Sequence, residues 1–196
     1  FKLAGGRFPL FLFGGFMLHI TNFGFYSIAP DYLQHLHNAD SEVYYNASYH
    51  NSMKPFVGII IGLEEYSYFI PLSSAKTKHI DWKNVTDEHF LVYEMVDSNT
   101  NFPNQIYKAS TSNEKIHILA VLDIKKMIPV PSGCFERIEF EDLQDRRYYD
   151  LFRKEYRFCL DIKEKILAKA QKLYQKQKKT GVVQKRHCTF SQLESA

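Results

Sequence analysis

Short runs of β-branched and aromatic residues separated by polar turns occupy the chain up to about residue 140, and an apolar stripe at helical spacing follows. "GFYSI" (Gly24–Ile28) reads as a first strand. Ala29-Pro30-Asp31 then puts proline at a first helical position with an acid in the first turn, which predicts a short helix through about His37. Residues 38–53 (NADSEVYYNASYHNSM) form a polar, tyrosine-rich loop. "FVGIIIG" (Phe56–Gly62) and "YSYFIPL" (Tyr66–Leu72), separated by "LEE", predict an antiparallel hairpin. Phe90–Val96 and Ile116–Asp123 read as further strands, "MIPV" (Met127–Val130) as an edge piece because proline breaks a ladder, and "RIEF" (Arg137–Phe140) as another strand. From Arg146, the residues Phe152, Tyr156, Cys159, Ile162, Ile166, Ala170 and Leu173 recur at gaps of three or four, with Gly181 just past the end. This predicts one long amphipathic helix. Sheet first and major helix last gives an α+β fold, a curved antiparallel sheet with helices packed on it.

Composition narrows the class. At 196 residues and 23.0 kDa, with 45% hydrophobic and 15% aromatic residues, the chain suits one domain with a real core. Its opening, "FKLAGGRFPLFLFGGFML", has an apolar run after Lys2 and Arg7 that superficially resembles a signal sequence, but it lacks an A-x-A pattern and is too short to span a bilayer. The expectation is a non-functional extension over residues 1–16 and a single domain over 17–196, with no membrane association. Three cysteines (Cys134, Cys159 and Cys188) without a CxxC pair argue against a disulfide framework or zinc knuckle and for the cytoplasm.

The net charge of +3 hides an asymmetry. Residues 146–186 carry 14 Lys and Arg against 4 Asp and Glu, an excess of ten, which leaves 11 against 18 elsewhere. The basic helix therefore points to a polyanionic partner, with Arg146, Arg147, Lys154, Lys172, Lys176 and Lys179 as candidate phosphate contacts.

No HExxH, glycine-rich phosphate loop or GxSxG elbow is present, and the acidic pairs Glu64-Glu65, Asp87-Glu88 and Glu141-Asp142 fall at turns. Metal chemistry and a cofactor are therefore not expected. What remains is Lys54 before one strand of the predicted hairpin and "SSAKTKH" after the other, contributing Ser73, Ser74, Lys76, Lys78 and His79, with Tyr26, Tyr32 and Tyr49 near in sequence. Antiparallel pairing should bring Lys54 beside this turn. Such a cluster suits RNA cleavage in which the ribose 2′-OH attacks the adjacent phosphorus. Lysines neutralise the transition state, serine hydroxyls hydrogen-bond it, and a lysine, a tyrosine or His79 moves protons. The same residues read equally as a polar loop, and the charge asymmetry also fits a non-catalytic RNA-binding module.

The motifs "FYSIAPDYLQHL", "KPFVGIIIG", "YFIPLSSAK", "MIPVP", the RYY helix opening and "CTFSQLE", in that order over about residues 25–194, resemble the ToxN/AbiQ family of endoribonuclease toxins from type III toxin–antitoxin systems. The resemblance implies a compact, highly twisted antiparallel β-barrel of MazF/Kid-like architecture with packed helices. It also implies metal-independent cleavage leaving a 2′,3′-cyclic phosphate, cellular and phage RNA as substrates, and inhibition by a small pseudoknotted antitoxin RNA in a cyclic toxin–RNA heteromer. The family's catalytic positions fall on Lys54, Ser73, Ser74 and Lys76, and its site tyrosines on Tyr32 and Tyr49, while Lys78 and His79 extend the RNA-binding surface.

Overall fold

The computed structural model describes residues 11–13, 16–18, 23–45, 55–59, 67–140 and 145–196. Strands β1 (Phe11–Phe13) and β2 (Phe16–Leu18) pair with each other in a small sheet of their own. The expected boundary at residue 17 therefore passes through β2.

All remaining strands belong to one antiparallel sheet. Strand β3 (Gly24–Ile28) leads into helix α1 (Pro30–Ala39) as expected, with Pro30 at the helix start. Strands β4 (Phe56–Ile59) and β5 (Ser67–Ser74) pair as the expected hairpin, with Phe56 opposite Pro71. Strands β6 (His89–Asp97), β7 (Ile106–Ala109), β8 (Glu114–Asp123), β9 (Ile128–Val130) and β10 (Phe135–Arg137) follow. The order is β10-β3-β4-β5-β8-β6, with β7 also on β8 and β9 also on β5. The antiparallel sheet is as expected, but among the described residues it does not close into a barrel: β10 and β6 are the two ends of the path and do not pair with each other.

The sheet branches at β5. The first part of β5 pairs with β9, Phe69 lying opposite Ile128, and its last part pairs with β8 from Leu72 opposite Leu122. Pro71 stands at the change of partner. The Leu72 N–H donates to the Pro55 carbonyl at 3.0 Å, on the β4 side. Neighbouring residues of a strand alternate in direction, so the missing N–H of Pro71 falls on the other side, where β9 gives way to β8.

Gly58 marks a second constraint within β4. A Cβ there would lie 2.5 Å from Cε2 of Tyr26, whose ring packs edge-on against Phe69 and Phe135. Gly58→Ala is expected to cost about 1–3 kcal/mol by overpacking. A thermal melt unchanged by this substitution would contradict the packing described.

The basic stretch is two helices, α2 (Arg146–Asp161) and α3 (Lys163–Thr180), which corrects the single helix expected. Ile162, at φ −111° and ψ 14°, closes one and opens the other: its N–H reaches the Phe158 carbonyl, and its own carbonyl accepts from Lys165 and Ile166. The apolar stripe stays in phase across this break, burying Phe152, Cys159, Ile166 and Ala170. Phe25 of β3 meets Phe152 and Tyr156 of α2 edge-on. Gly181, at φ 65°, ends α3 and donates to the Gln177 carbonyl. The final helix α4 (Phe190–Glu194) is tied in by Glu194, whose Oε1 accepts from Tyr68 at 2.7 Å and Tyr174 at 2.8 Å while Lys178 pairs with Oε2. The "RIEF" strand lies earlier than expected, since β10 ends at Arg137, and Ile138 and Phe140 pack into the core beyond it. All three cysteines are free thiols, Cys159 and Cys188 buried. Among the described residues no helix is long and apolar enough to cross a membrane.

Candidate active site

The turn "SSAKTKH" begins at a β-bulge. On β6, Val92 faces Ala120 and Tyr93 faces Ile118, leaving Leu119 as an extra residue on β8. Its carbonyl accepts the N–H of Ala75, the first residue past β5, at 3.3 Å. A bulge bends its strand and re-aims what pairs with it. Here it coincides with the point where the chain leaves the sheet for the 3₁₀ turn Thr77–Asp81.

The two serines take different places. Ser73 lies opposite Val121 and Ser74 opposite Ala120. Val121 belongs to a small cluster with Leu91, Ile116 and Ile118, whereas Ala120 belongs to the main core on the other face. Successive side chains alternate across a strand, so the two hydroxyls leave on opposite faces. Ser74 is exposed and Ser73 half-buried, which separates a pair that the sequence reading treats as one unit.

Lys76 and Lys78 are exposed, but the His79 ring is only 3% exposed. Its Nδ1 accepts the Lys76 backbone N–H at 3.0 Å, and the His79 backbone N–H donates to the Lys76 carbonyl at 2.8 Å. Burial, helped by Lys78, Lys76 and His89, lowers the His79 pKa to about 4. The imidazole, expected as an RNA contact, lies under the turn and is buried. Trp82 stacks obliquely on His79 with centroids 4.6 Å apart, and His89 meets the same indole at 4.7 Å. The Lys108 ammonium donates to the Trp82 carbonyl at 2.6 Å, and the Lys78 ammonium stands 5.6 Å from the indole centroid. The sequence reading missed this support, although residues three apart eclipse in a 3₁₀ turn and Trp82 is the chain's single tryptophan.

Other candidates lie elsewhere. Lys54 and Tyr49 fall outside the described residues. The Tyr32 hydroxyl donates to the Pro129 carbonyl at 3.0 Å, and Pro129 pairs with Tyr68 near the start of β5. Ser73 lies about 16 Å further along that strand at about 3.3 Å per residue. Arg146 and Arg147 are exposed in the first turn of α2, where the Asp145 carboxylate accepts the Arg147 N–H at 2.8 Å. Lys154 pairs with Glu94 at 2.8 Å, and Glu94 also meets His117 Nδ1 at 2.9 Å. Lys172 pairs with Asp87 at 3.1 Å and Lys169 with the same carboxylate at 2.9 Å. Hydrogen bonds from Lys169 and then Lys172 lower the Asp87 pKa to about 2. Part of the basic excess is thus compensated within the molecule, while Lys176 and Lys179 are exposed near the end of α3.

Residues 24–196 match the profile of a family described as toxin ToxN, type III toxin–antitoxin system. The chain belongs to the ToxN toxin family. Endoribonuclease ToxN of Bacillus thuringiensis subsp. kurstaki is 27% identical over 160 residues, spanning 81% of this chain and 70% of that protein. Endoribonuclease AbiQ of Lactococcus lactis subsp. lactis is 25% identical over 173 residues, 87% of this chain and 85% of its own. Two solved structures share the fold. One is AbiQ, a lactococcal anti-phage endoribonuclease of the type III class, with TM-score 0.64 and 24% identity, covering 89% of this chain and 95% of the other. The other concerns selective toxin inhibition by a non-coding RNA pseudoknot, with TM-score 0.63, 24% identity and the same coverage. ToxN membership thus bears out the family resemblance seen in the ordered motifs.

Proposed function

We propose that this ToxN-family chain is a metal-independent endoribonuclease toxin of the cytoplasm, acting on cellular and phage RNA. The observation that carries the reading is the exit of β5, where exposed Ser74 and Lys76 stand together on a turn braced by the bulge carbonyl and by His79. The ribose 2′-OH attacks the adjacent phosphorus, its proton passes to a base, and the 5′-oxygen leaves with a proton, so that a 2′,3′-cyclic phosphate remains. The Ser74 hydroxyl donates to a non-bridging oxygen, and Lys76 and Lys54 offset the charge that grows there. His79 is not the proton carrier, because its Nδ1 is engaged and its ring is buried.

The names of the relatives support the activity, and the inhibition of a fold neighbour by a non-coding RNA pseudoknot supports the inhibitor. We infer that a small pseudoknotted antitoxin RNA closes with this chain into a cyclic heteromer, held through Arg146, Arg147, Lys176 and Lys179. The toxin domain is proposed to run from residue 17, with residues 1–16 as an extension. Truncation before residue 17, and before residue 19 so as to remove the whole β1–β2 hairpin, is expected to preserve the melting temperature and activity. A large loss of either would place the hairpin within the functional fold.

The decisive experiment incubates the protein in excess EDTA with an A-rich RNA and with the same strand carrying single 2′-deoxy positions. Cleavage is expected to survive chelation and to vanish only where the deoxy sugar lies 5′ to the scissile phosphate. A binding module would retain both RNAs uncut, and a metal nuclease would stop in EDTA.

A further inference from the structure

The exposed Lys76 is held by contacts that its own side chain does not make. Its backbone N–H and its carbonyl are both bonded by one residue, the first to the His79 ring and the second to the His79 N–H. His79 is fixed in turn by Trp82, Trp82 by Lys108 and the His89 ring, and His89 by bonds to Thr86 and the Lys83 carbonyl. This line of contacts runs from the sheet to the lysine.

An Asp or Asn side chain is the usual acceptor for a nearby backbone N–H in a turn. A carboxylate here would stand beside Lys76 and Lys78 and oppose the positive field that a phosphate needs. Imidazole in its Nε2–H tautomer offers a bare Nδ1 with no negative charge. We propose that His79 is a positioning residue for Lys76, fixing the lysine backbone through an uncharged acceptor so that the ammonium keeps both its direction and its full charge toward the scissile phosphate. The proposal rests on the ribonuclease reading above, and it assigns to the histidine neither proton transfer nor RNA contact.

Acid should undo the arrangement. The depressed folded-state pKa means that the contact is complete above the ordinary value of 6.5 and is lost as the pH falls through about 4. Lys76, Lys78 and His89 are the charged and titrating groups that act on the ring, and Lys125 reaches the same indole at 5.9 Å from its centroid.

The test compares single-turnover RNA cleavage by the wild-type protein with that of His79→Ala, His79→Asn and His79→Asp. The Lys76 amide is followed by NMR in lysine-labelled protein, and Trp82 emission reports folding. His79→Ala is expected to lose protection of the Lys76 amide and on the order of a hundredfold in rate, with RNA affinity changed by less than about threefold. His79→Asn, with an uncharged acceptor, is expected to restore both. His79→Asp is expected to restore the amide but not the rate, which a merely structural role could not produce. Equal rates for the Asn and Asp variants, or an undiminished rate for Ala, would overturn the proposal. If the variants do not fold, wild-type protein decides: a rate that stays level while the His79 ring takes up its proton would overturn it equally. A wild-type protein that cuts no RNA would overturn the ribonuclease reading instead, and the amide data would still decide whether His79 holds the Lys76 backbone.

Discussion

Replacing Ser74 or Lys76 with Ala is expected to lower the rate of RNA cleavage by on the order of a hundredfold or more while leaving the melting temperature nearly unchanged. Both side chains are exposed at the exit of β5, so neither supports the core. Their proposed partner is the charge that develops on phosphorus oxygens, which exists only in the transition state and is felt in kcat more than in binding. Lys54→Ala is expected to behave in the same way. Ser73→Ala should differ: its half-buried hydroxyl lies on the opposite face with Val121, so the substitution should alter stability more than rate. Single-turnover kinetics beside thermal melts measure both quantities. Full activity in the Ser74 and Lys76 variants would remove the basis of the site.

Affinity for the antitoxin RNA is expected to fall steeply with salt, by a slope of about 0.7 per neutralised phosphate for a single strand and about 0.9 for a duplex. Lys176→Gln and Lys179→Gln should each flatten that slope by about one contact. Lys172→Gln should change it less, since its ammonium already pairs with Asp87, a carboxylate it shares with Lys169. Titrations at several salt concentrations test this ranking. A slope untouched by the Lys176 and Lys179 changes would mean that the end of α3 is solvated and nothing more.

Strands with alternating or continuous apolar runs were legible in the sequence, and Gly24–Ile28 and the start of the helix at Pro30 fall where local signals put them. The break at Ile162 was not, because neither glycine nor proline marks it and the stripe keeps its phase across it. Strand β7 was missed because Ile106–Ala109 is short and half-exposed, with one long apolar residue beside its tyrosine. In the site, the residue types of "SSAKTKH" raise the expectation of phosphate chemistry, but do not tell which side chains face solvent. Burial of His79 depends on Trp82 and on a bulge in β8, some forty residues further along the chain. The bond of Tyr32 to the Pro129 carbonyl joins residues 97 apart, a pairing no local signal in the sequence marks.

The bond between Tyr68 and Glu194 has a consequence for the order of folding. It joins residues 126 apart, and the helix that carries Glu194 buries Phe190 and Leu193 completely or nearly so. During synthesis, β5 and its neighbours leave the ribosome long before this helix exists, and the apolar surface around Tyr68 has no cover in that interval. Domains gain order from the N-terminal side as they emerge, yet here the strand that ends in Ser74 is tied through Tyr68 to a helix 126 residues further along the chain. The nascent toxin should therefore stay without a completed site until translation has passed Glu194, a delay that falls within the cell that must tolerate it.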